Sequence, residues 1–512
     1  MARKWWTLLV VCVGIFMLLL DITIVNVALP DISQQFNSSL SALQWVIDAY
    51  ALALASLLLT GGTLADRKGR KLLFLIGVAI FTVGSALCGA ATGMVFLALS
   101  RAFQGIGGAI MFATSLALLS ESFQGKERGI AFGVWGGITG LAIAIGPVLG
   151  GALVTGLGWR WIFLVNVPVG AILFVLAVLR LDESRDPQPK RLDILGFLTF
   201  STGLFGLIFA LIRSNQDGWS SWIVIGSLVA AAVLLAGFAL AELLRRDPMF
   251  DFKLMRVPTF DGGLIAAFAI SASIFSVLTY LILWVQGLLG YSALQAGVRF
   301  LPLSLSVFFT AIVAGRLTSF IPKRYLIAPG FALIGVALFL MRGLTVDSDW
   351  SHLLPGLIVG GVGAGLVNVP LVATAVGVVA PRRAGMASGI NSTFRQIGLA
   401  GGIAVLGTIF SSHIRSSVIA DLAGTPAASA SGQIADVVSS GQVQAILSQA
   451  PAAARPLIES AARDGFVNAL NLILLIAGLL SFLAAVVCFL LIREKDFVEG
   501  QGAGGRRAGE TG

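Results

Sequence analysis

Asp21 is a carboxylate two-thirds of the way along a hydrophobic span, Trp6 to Leu29, that holds no other charge. A charge at that depth costs roughly 2.5 to 3.5 kcal/mol by insertion scales, so it is paired, neutralised or put to use. Arg101 is the partner on offer; offsets of three, four and seven place it on one helical face with Gln104, Gly105 and Gly108. At a rise of about 1.5 Å per residue, Arg101 falls about 10 Å, Asp21 about 13 Å and Asp48 about 8 Å from the outer ends of their spans. The three could therefore meet in one layer. A buried ion pair can simply fix packing. An acid and a guanidinium in one water-poor layer can also load and release a proton, because burial and the neighbouring cation act on the acid in opposite directions. Proton coupling is accordingly assigned to Asp21, Asp48 and Arg101. Asp48, with Gln44 one turn earlier on the same face, reads as a second carrier or substrate contact, or else as a partly exposed acid near the outer surface. Asn26, Gln44, Gln104, Asn368, Asn391 and Arg395 are further polar residues inside apolar spans, and are candidates to line a substrate cavity.

The elements that hold these residues must be membrane helices. With 57% hydrophobic and 12% charged residues, and a mean hydropathy of +0.94, the chain has too little polar surface to coat a soluble globule. Its 61 glycines suit helices packed closely in lipid. Apolar runs last about 20 residues, as helical spans require, where barrel strands would alternate over about 10. The net charge of +9 does not point to nucleic acid, because the basic residues sit at span ends and no basic soluble domain exists. Cys12, Cys88 and Cys488 lie in apolar segments without metal-ligand spacing, so disulfide, metal and cofactor readings all fail. The start, Met1 to Trp6, has the flank of a signal sequence but runs into a long span, and reads as an uncleaved anchor.

Fourteen spans are expected, beginning near residues 6, 43, 72, 94, 128, 161, 192, 222, 260, 295, 325, 353, 387 and 466. An even number puts both termini on one side. Arg67, Lys68, Arg70, Lys71, Arg180, Arg245, Arg316, Lys323 and Arg383 all fall in loops of that side, which is therefore cytoplasmic. Gly105-Ile-Gly-Gly is echoed at Gly361-Val-Gly-Ala, and Gly129 to Gly133 at Gly385 to Gly389; both echoes are offset by 256 residues (105 to 361, 129 to 385). The shared offset implies two six-helix halves, 1–181 and 259–495, with two inserted helices and their loops at 182–258. Residues 412–465 read as an outer loop whose amphipathic stretch, Ile434 to Ile458, could fold as short helices. Residues 496–512 read as a disordered cytoplasmic tail. Duplicated helical halves that rock around a site at their interface are the architecture of secondary transporters.

Three motifs carry a family resemblance. The loop Gly62-Thr-Leu-Ala-Asp66-Arg67-Lys68-Gly69-Arg70-Lys71 could be a topology-fixing basic turn, with Asp66 favoured by the N-terminus of the third span. It resembles the signature loop of the major facilitator superfamily. That resemblance implies a latch of the cytoplasmic side for Gly62, Asp66, Arg67, Gly69 and Arg70. Gly146, Pro147, Gly150 and Gly151 form a small-residue ridge with a proline kink, which close packing explains; the spacing also resembles the motif of the antiporter branches. Trp159 to Pro168 is an aromatic interface belt with one Arg. With the Asp21 segment it is similar to the fourteen-span drug:proton antiporters of the EmrB/QacA type.

The resemblance covers all but the outer loop and tail. It implies an all-α polytopic major facilitator fold, multidrug efflux driven by the proton motive force, and a bacterial inner-membrane location; a monomer is one working unit it allows, and the sequence does not give the oligomeric state. Small-molecule substrate, protons and lipid would be its partners. A departure lies in spans 10 to 14, which lack a mid-span Asp or Glu, so Arg299 and Arg395 could favour anionic or amphiphilic cargo. Within transport, a dedicated exporter of a lipid, siderophore or self-made metabolite is the alternative. An ATP-driven pump lacks its phosphate cradle, since Gly125-Lys126 is followed by Glu127. A membrane enzyme lacks catalytic groups, since His352 and His413 stand alone at span ends.

Overall fold

A computed structural model describes residues 3–36, 40–123, 125–185, 193–245, 250–379, 383–441, 443, 450 and 454–498. Long apolar runs become helices because hydrocarbon offers the backbone no partner, so every N–H and C=O must bond within its own segment. The first half comprises α1 (Arg3–Phe36), α2 (Leu40–Lys68), α3 (Arg70–Gly89), α4 (Met94–Ser122), α5 (Gly125–Leu157), the short α6 (Trp161–Leu164) and α7 (Asn166–Arg180). Next come α8 (Ile194–Asp217) and α9 (Trp222–Leu244). The second half holds α10 (Pro258–Ile270), α11 (Ser276–Leu283), α12 (Ala293–Leu317), α13 (Arg324–Leu340), α14 (Leu354–Gly377), α15 (Ala384–Asp421), α16 (Ser431–Ser439) and α17 (Arg455–Leu491). Wide helical turns at Ser271–Phe275 and Trp284–Leu288 continue α10 and α11 into one crossing.

Among the described residues, 12 helices are long and apolar enough to cross a membrane. Two shorter apolar stretches lie in α5, at Val148–Leu157, and in α13, at Arg324–Leu340. The inserted pair is peripheral. α8 packs on α2, with Thr60 and Ser201 hydroxyls 3.1 Å apart and the Trp45 and Phe209 rings at 6.0 Å, whereas α9 buries only Val224, Ala231, Phe238 and Glu242.

The halves meet at two crossings near the end that carries Arg67, Lys68 and Arg70, here called the basic end. At one, α2 lies on α15 so tightly that a Cβ on Gly62 would land on the carbonyl of Gly385. At the other, α5 lies on α12, and a Cβ on Gly129 would land on the carbonyl of Gly315. Gly129 and Gly385 are the repeat-related pair, so the duplication preserves backbone contact at the seam. The α5–α12 contact continues through Gly133 beside Ala311, Gly137 beside Phe308 and Gly140 beside Val307.

Two expected boundaries move. The segment 412–465 is helical up to Asp421 and again from Arg455. Between them α16 buries Ile434, Ala435 and Val438 in the core that also contains Trp284 and Leu288. Residues 442, 444–449 and 451–453 of the amphipathic stretch lie outside the described residues. Asp496 to Val498, expected in a disordered tail, are held: Thr259 Oγ1 donates to Asp496 at 2.7 Å, and Val498 N donates to Gly377 O at 3.1 Å. Residues 499–512 lie outside the described residues.

Candidate functional site

Asp21 and Arg101 meet inside the first half, each 1% exposed. Arg101 Nη1 donates to Asp21 Oδ2 and to Gln104 Oε1 at 2.8 Å, and Nε donates to the Val46 carbonyl at 3.1 Å. The other carboxylate oxygen accepts from Gln104 Nε2 at 3.0 Å and from Asn166 Nδ2 at 3.1 Å. Asn166 also donates to Ser85 Oγ at 3.0 Å, and that hydroxyl donates to Phe163 O at 2.9 Å. The guanidinium lies 4.1 Å from the Tyr50 ring centre.

Five helices, α1, α2, α3, α4 and α7, thus place polar or aromatic groups in one water-poor layer, with Arg101 and Gln104 both from α4. Such a pair is tolerated because each charge is both neutralised and hydrogen-bonded. Glycines let it close: a Cβ on Gly84 would lie 2.7 Å from Gln104 Cα, and one on Gly105 2.6 Å from Tyr50 O.

Asp48 does not join this layer. It projects from the side of α2 that carries Trp45 and Leu52, which pack beside Phe209, Leu204 and Ile208 of α8, roughly opposite Tyr50. The side chains of Asn26, Gln44 and Pro147 lie outside the described residues. Gln104 belongs to the Asp21 network rather than to a cavity between the halves. The ridge of α5 holds the segment that bears Asp21: a Cβ on Gly146 would strike Thr23, and one on Gly150 would come within 2.9 Å of Ile24. Gly151 is looser, its nearest atom being 3.8 Å away on Leu294 of α12.

At the basic end, Asp66 accepts from Gly385 N at 3.2 Å and Met386 N at 3.0 Å. A carboxylate is favoured there because the first N–H groups of a helix lack intrahelical partners and carry the positive end of its dipole. The helix is α15, however, and not the third span as expected. α3 is served instead by Glu183, which accepts from Lys71 N and Leu72 N, both at 3.1 Å. Arg70 fixes Asp66 through Nε at 3.0 Å and Nη2 at 2.9 Å, and reaches Glu121 at 3.0 Å. Gly69 takes φ +123° between α2 and α3, a conformation glycine adopts without a Cβ penalty. Arg67 is half-buried on the same turn.

The second half has its own clasp at this end. Lys323 N donates to Glu494 Oε1 at 3.0 Å, and Lys323 Nζ sits 3.5 Å over the Phe497 ring. Burial pushes the Lys323 ammonium down to about 8, with Glu494 opposing that shift and Arg128 adding to it.

Of the second-half candidates, Asn391 is buried and Asn368 and Arg395 are half-buried. The Oδ1 atoms of Asn368 and Asn391 have no hydrogen-bond partner. Asn166, Ser85, Tyr50 and Glu183 carry no role in the sequence reading. The first three were detectable as polar groups within apolar runs, but only the fold brings them to Asp21.

Comparison with known proteins adds four findings. The family profile described as Major Facilitator Superfamily matches residues 11–403. The multidrug resistance protein Stp of Mycobacterium tuberculosis is 36% identical over 413 residues, covering 80% of this chain and 77% of that protein. The puromycin resistance protein pur8 of Streptomyces alboniger is 34% identical over 437 residues, 84% of this chain and 86% of that protein. Among solved structures, the proton:xylose symporter XylE superposes with a TM-score of 0.60 at 13% identity, covering 96% of each chain, a likeness of fold alone.

Proposed function

This chain belongs to the major facilitator superfamily, and on that premise we propose that it is a proton-coupled antiporter of the fourteen-span EmrB/QacA type. It exports amphiphilic, drug-like molecules across a bacterial plasma membrane. The resistance functions named for its relatives support that class of cargo. In this reading α5 and α13 complete fourteen crossings, and the basic end with both termini faces the cytoplasm. The conformation described above is then the one closed to the cytoplasm by Asp66.

The observation that carries the proposal is the sealed Asp21 layer. A proton arriving from outside neutralises Asp21 and leaves the Arg101 guanidinium without its counter-charge. An uncompensated buried charge costs about 3 to 5 kcal/mol, so the layer must rearrange. α5 grips α1 at Gly146 and Gly150 and runs along α12, so a shift of α1 is passed to the seam between the halves. Alternation then exposes the site inward, where the proton leaves and cargo restores the starting state.

The test is Asp21→Asn in proteoliposomes. The amide keeps the shape and the neutrality of the protonated acid, so the variant mimics the proton-loaded layer and still exchanges cargo down a gradient. Cargo-driven proton movement, read by a trapped pH dye, is lost. Proton movement at the wild-type rate would remove Asp21 from the coupling role.

A further inference from the structure

We infer that Arg395 is the anion contact of a cargo site walled by α14 and α15, and that the molecules this protein moves carry an acidic group together with hydroxyl donors. The inference rests on the efflux reading and narrows it.

Three arginines lie inside the apolar spans away from their charged ends. Arg101 is bound by Asp21, Gln104 and the Val46 carbonyl. Arg299 donates to Gln295 O at 3.0 Å and lies 3.6 Å over the Tyr291 ring and 5.3 Å from that of Trp350. Of the three, only Arg395 makes no hydrogen bond, ion pair or ring contact with the described residues. It stands eleven residues into α15 (384 to 395), about 17 Å along the helix and near the middle of a hydrocarbon layer about 30 Å thick. Its side chain is too deep to reach the interface. An ionisable group kept at that depth without a partner calls for a function.

Its direction follows from the rest of the helix. Gly385 and Gly389 lie against α2, and Gly398 and Gly402 against Phe268 and Ala272. Ile390, Phe394, Ile397 and Ala400 share a cluster with Phe200, Leu204 and Ile208 of α8. Ser388, Ser392 and Arg395 occupy the remaining face, between the α2 and α10 contacts.

A second observation points to a ligand there. On or beside that face, Ser388 Oγ, Asn391 Oδ1 and Ser392 Oγ have no hydrogen-bond partner, although these residues are only 1%, 1% and 2% exposed. Asn368 Oδ1 is likewise unpartnered on α14, beside Val369, which packs on Gly136 of α5. Buried orphans are rare in folded proteins, and several on one helical stretch mark a missing partner. Amide oxygens accept, so that partner supplies donors; a guanidinium donates in a planar fork that suits a carboxylate. The protein's own nearest acid by register is Asp261. Phe268 lies at Gly398, so seven residues earlier Asp261 is level with Asn391, one turn away from Arg395, and it makes no ion pair with Arg395 here.

Full-length protein in lipid nanodiscs tests this with two xanthene dyes read by fluorescence polarisation. Fluorescein carries a carboxylate and a phenol; rhodamine 6G is an esterified cation. Fluorescein binds the wild type saturably, R395Q weakens it about 10- to 100-fold, R395K recovers most of that, and rhodamine 6G is not weakened by R395Q. Absent fluorescein saturation, no effect of R395Q, or equal weakening of both dyes would overturn the site; equal weakening is what a structural pairing with Asp261 predicts. Should R395Q not fold, competition on the wild type decides. Salicylate displaces fluorescein and salicylamide does not, whereas displacement by both overturns the anion contact. Arg395-dependent binding without gradient-driven dye movement in vesicles would keep the site and overturn the efflux reading instead.

Discussion

Replacing Asp66 by Asn should open the basic end. Two backbone N–H groups of α15 reach this carboxylate across the seam, from Gly385 at 3.2 Å and Met386 at 3.0 Å. Hydrogen bonds to a charged group contribute about 1.5 to 3 kcal/mol against about 0.5 to 1.5 for neutral ones, so losing the charge weakens the two together by about 2 kcal/mol. The lost attraction to the helix N-terminus adds about 0.3 to 1 kcal/mol. A total near 3 kcal/mol shifts the clasped-to-open ratio by about 100-fold, at 1.4 kcal/mol per tenfold. A protein that is clasped about 99 times in 100 becomes roughly half open. Spin labels on Lys68→Cys of α2 and Arg316→Cys of α12, both exposed and on opposite halves, report the change by pulsed electron resonance. The natural cysteines are buried and stay unlabelled. A distance distribution that stays within twofold of the wild-type populations would refute the latch energetics.

Two further perturbations follow. Gly146→Ala places a methyl on Thr23 and should abolish coupled transport, while Gly151→Ala, with nothing nearer than 3.8 Å, should leave it intact; equal rates for the two would remove α5 from the coupling route. Lys323, held down to about 8 by burial, binds its proton less tightly when folded than when unfolded. Stability therefore rises with pH between about 8 and the unfolded value near 10.4. The rise amounts to at most about 3 kcal/mol, since one pKa unit is about 1.4 kcal/mol. Lys323→Met should flatten this part of the melting-temperature profile, and a parallel profile would show that burial of the ammonium is not what is felt.

Much of the site was legible because membrane helices are read by depth and face. Asp21 and Arg101 announce themselves as charges inside apolar runs, and axial rise puts them in one layer before any packing is known. Asp48 shares that depth but not that direction. Its azimuth on α2 depends on where α8 docks, and nothing in the α2 sequence marks the docking face except Trp45 and Leu52, which suit lipid equally well. Asp66 was placed at the wrong helix for a related reason: it precedes α3 in sequence, yet the N-terminus that receives it comes from α15, more than three hundred residues away. Asn166 and Ser85 are ordinary small polar residues until Asp21 gives them something to hold. The length of the outer segment was misjudged because α15 and α17 outrun their apolar cores and stay helical through Ser, Ala and Arg, all acceptable in an exposed helix.

The two seam crossings are related by duplication but not equal in chemistry, and the inequality suggests which one moves. At the α2–α15 crossing the glycine contact is joined by Asp66, a charged bond that is either made or broken. At the α5–α12 crossing the polar group beside Gly129 is Thr318, whose hydroxyl donates to Gly315 O at 2.7 Å, within its own turn. That contact also extends over Gly133, Gly137 and Gly140, small residues that let two helices slide or roll while staying packed. A long uncharged seam serves as a pivot, and a short charged one as a latch. The pivot helix is the one whose far end grips Thr23 and Ile24, next to Asp21. In the proposed cycle, neutralising that acid would act on the arm of the lever, and the α2–α15 latch would be the bond the lever must break.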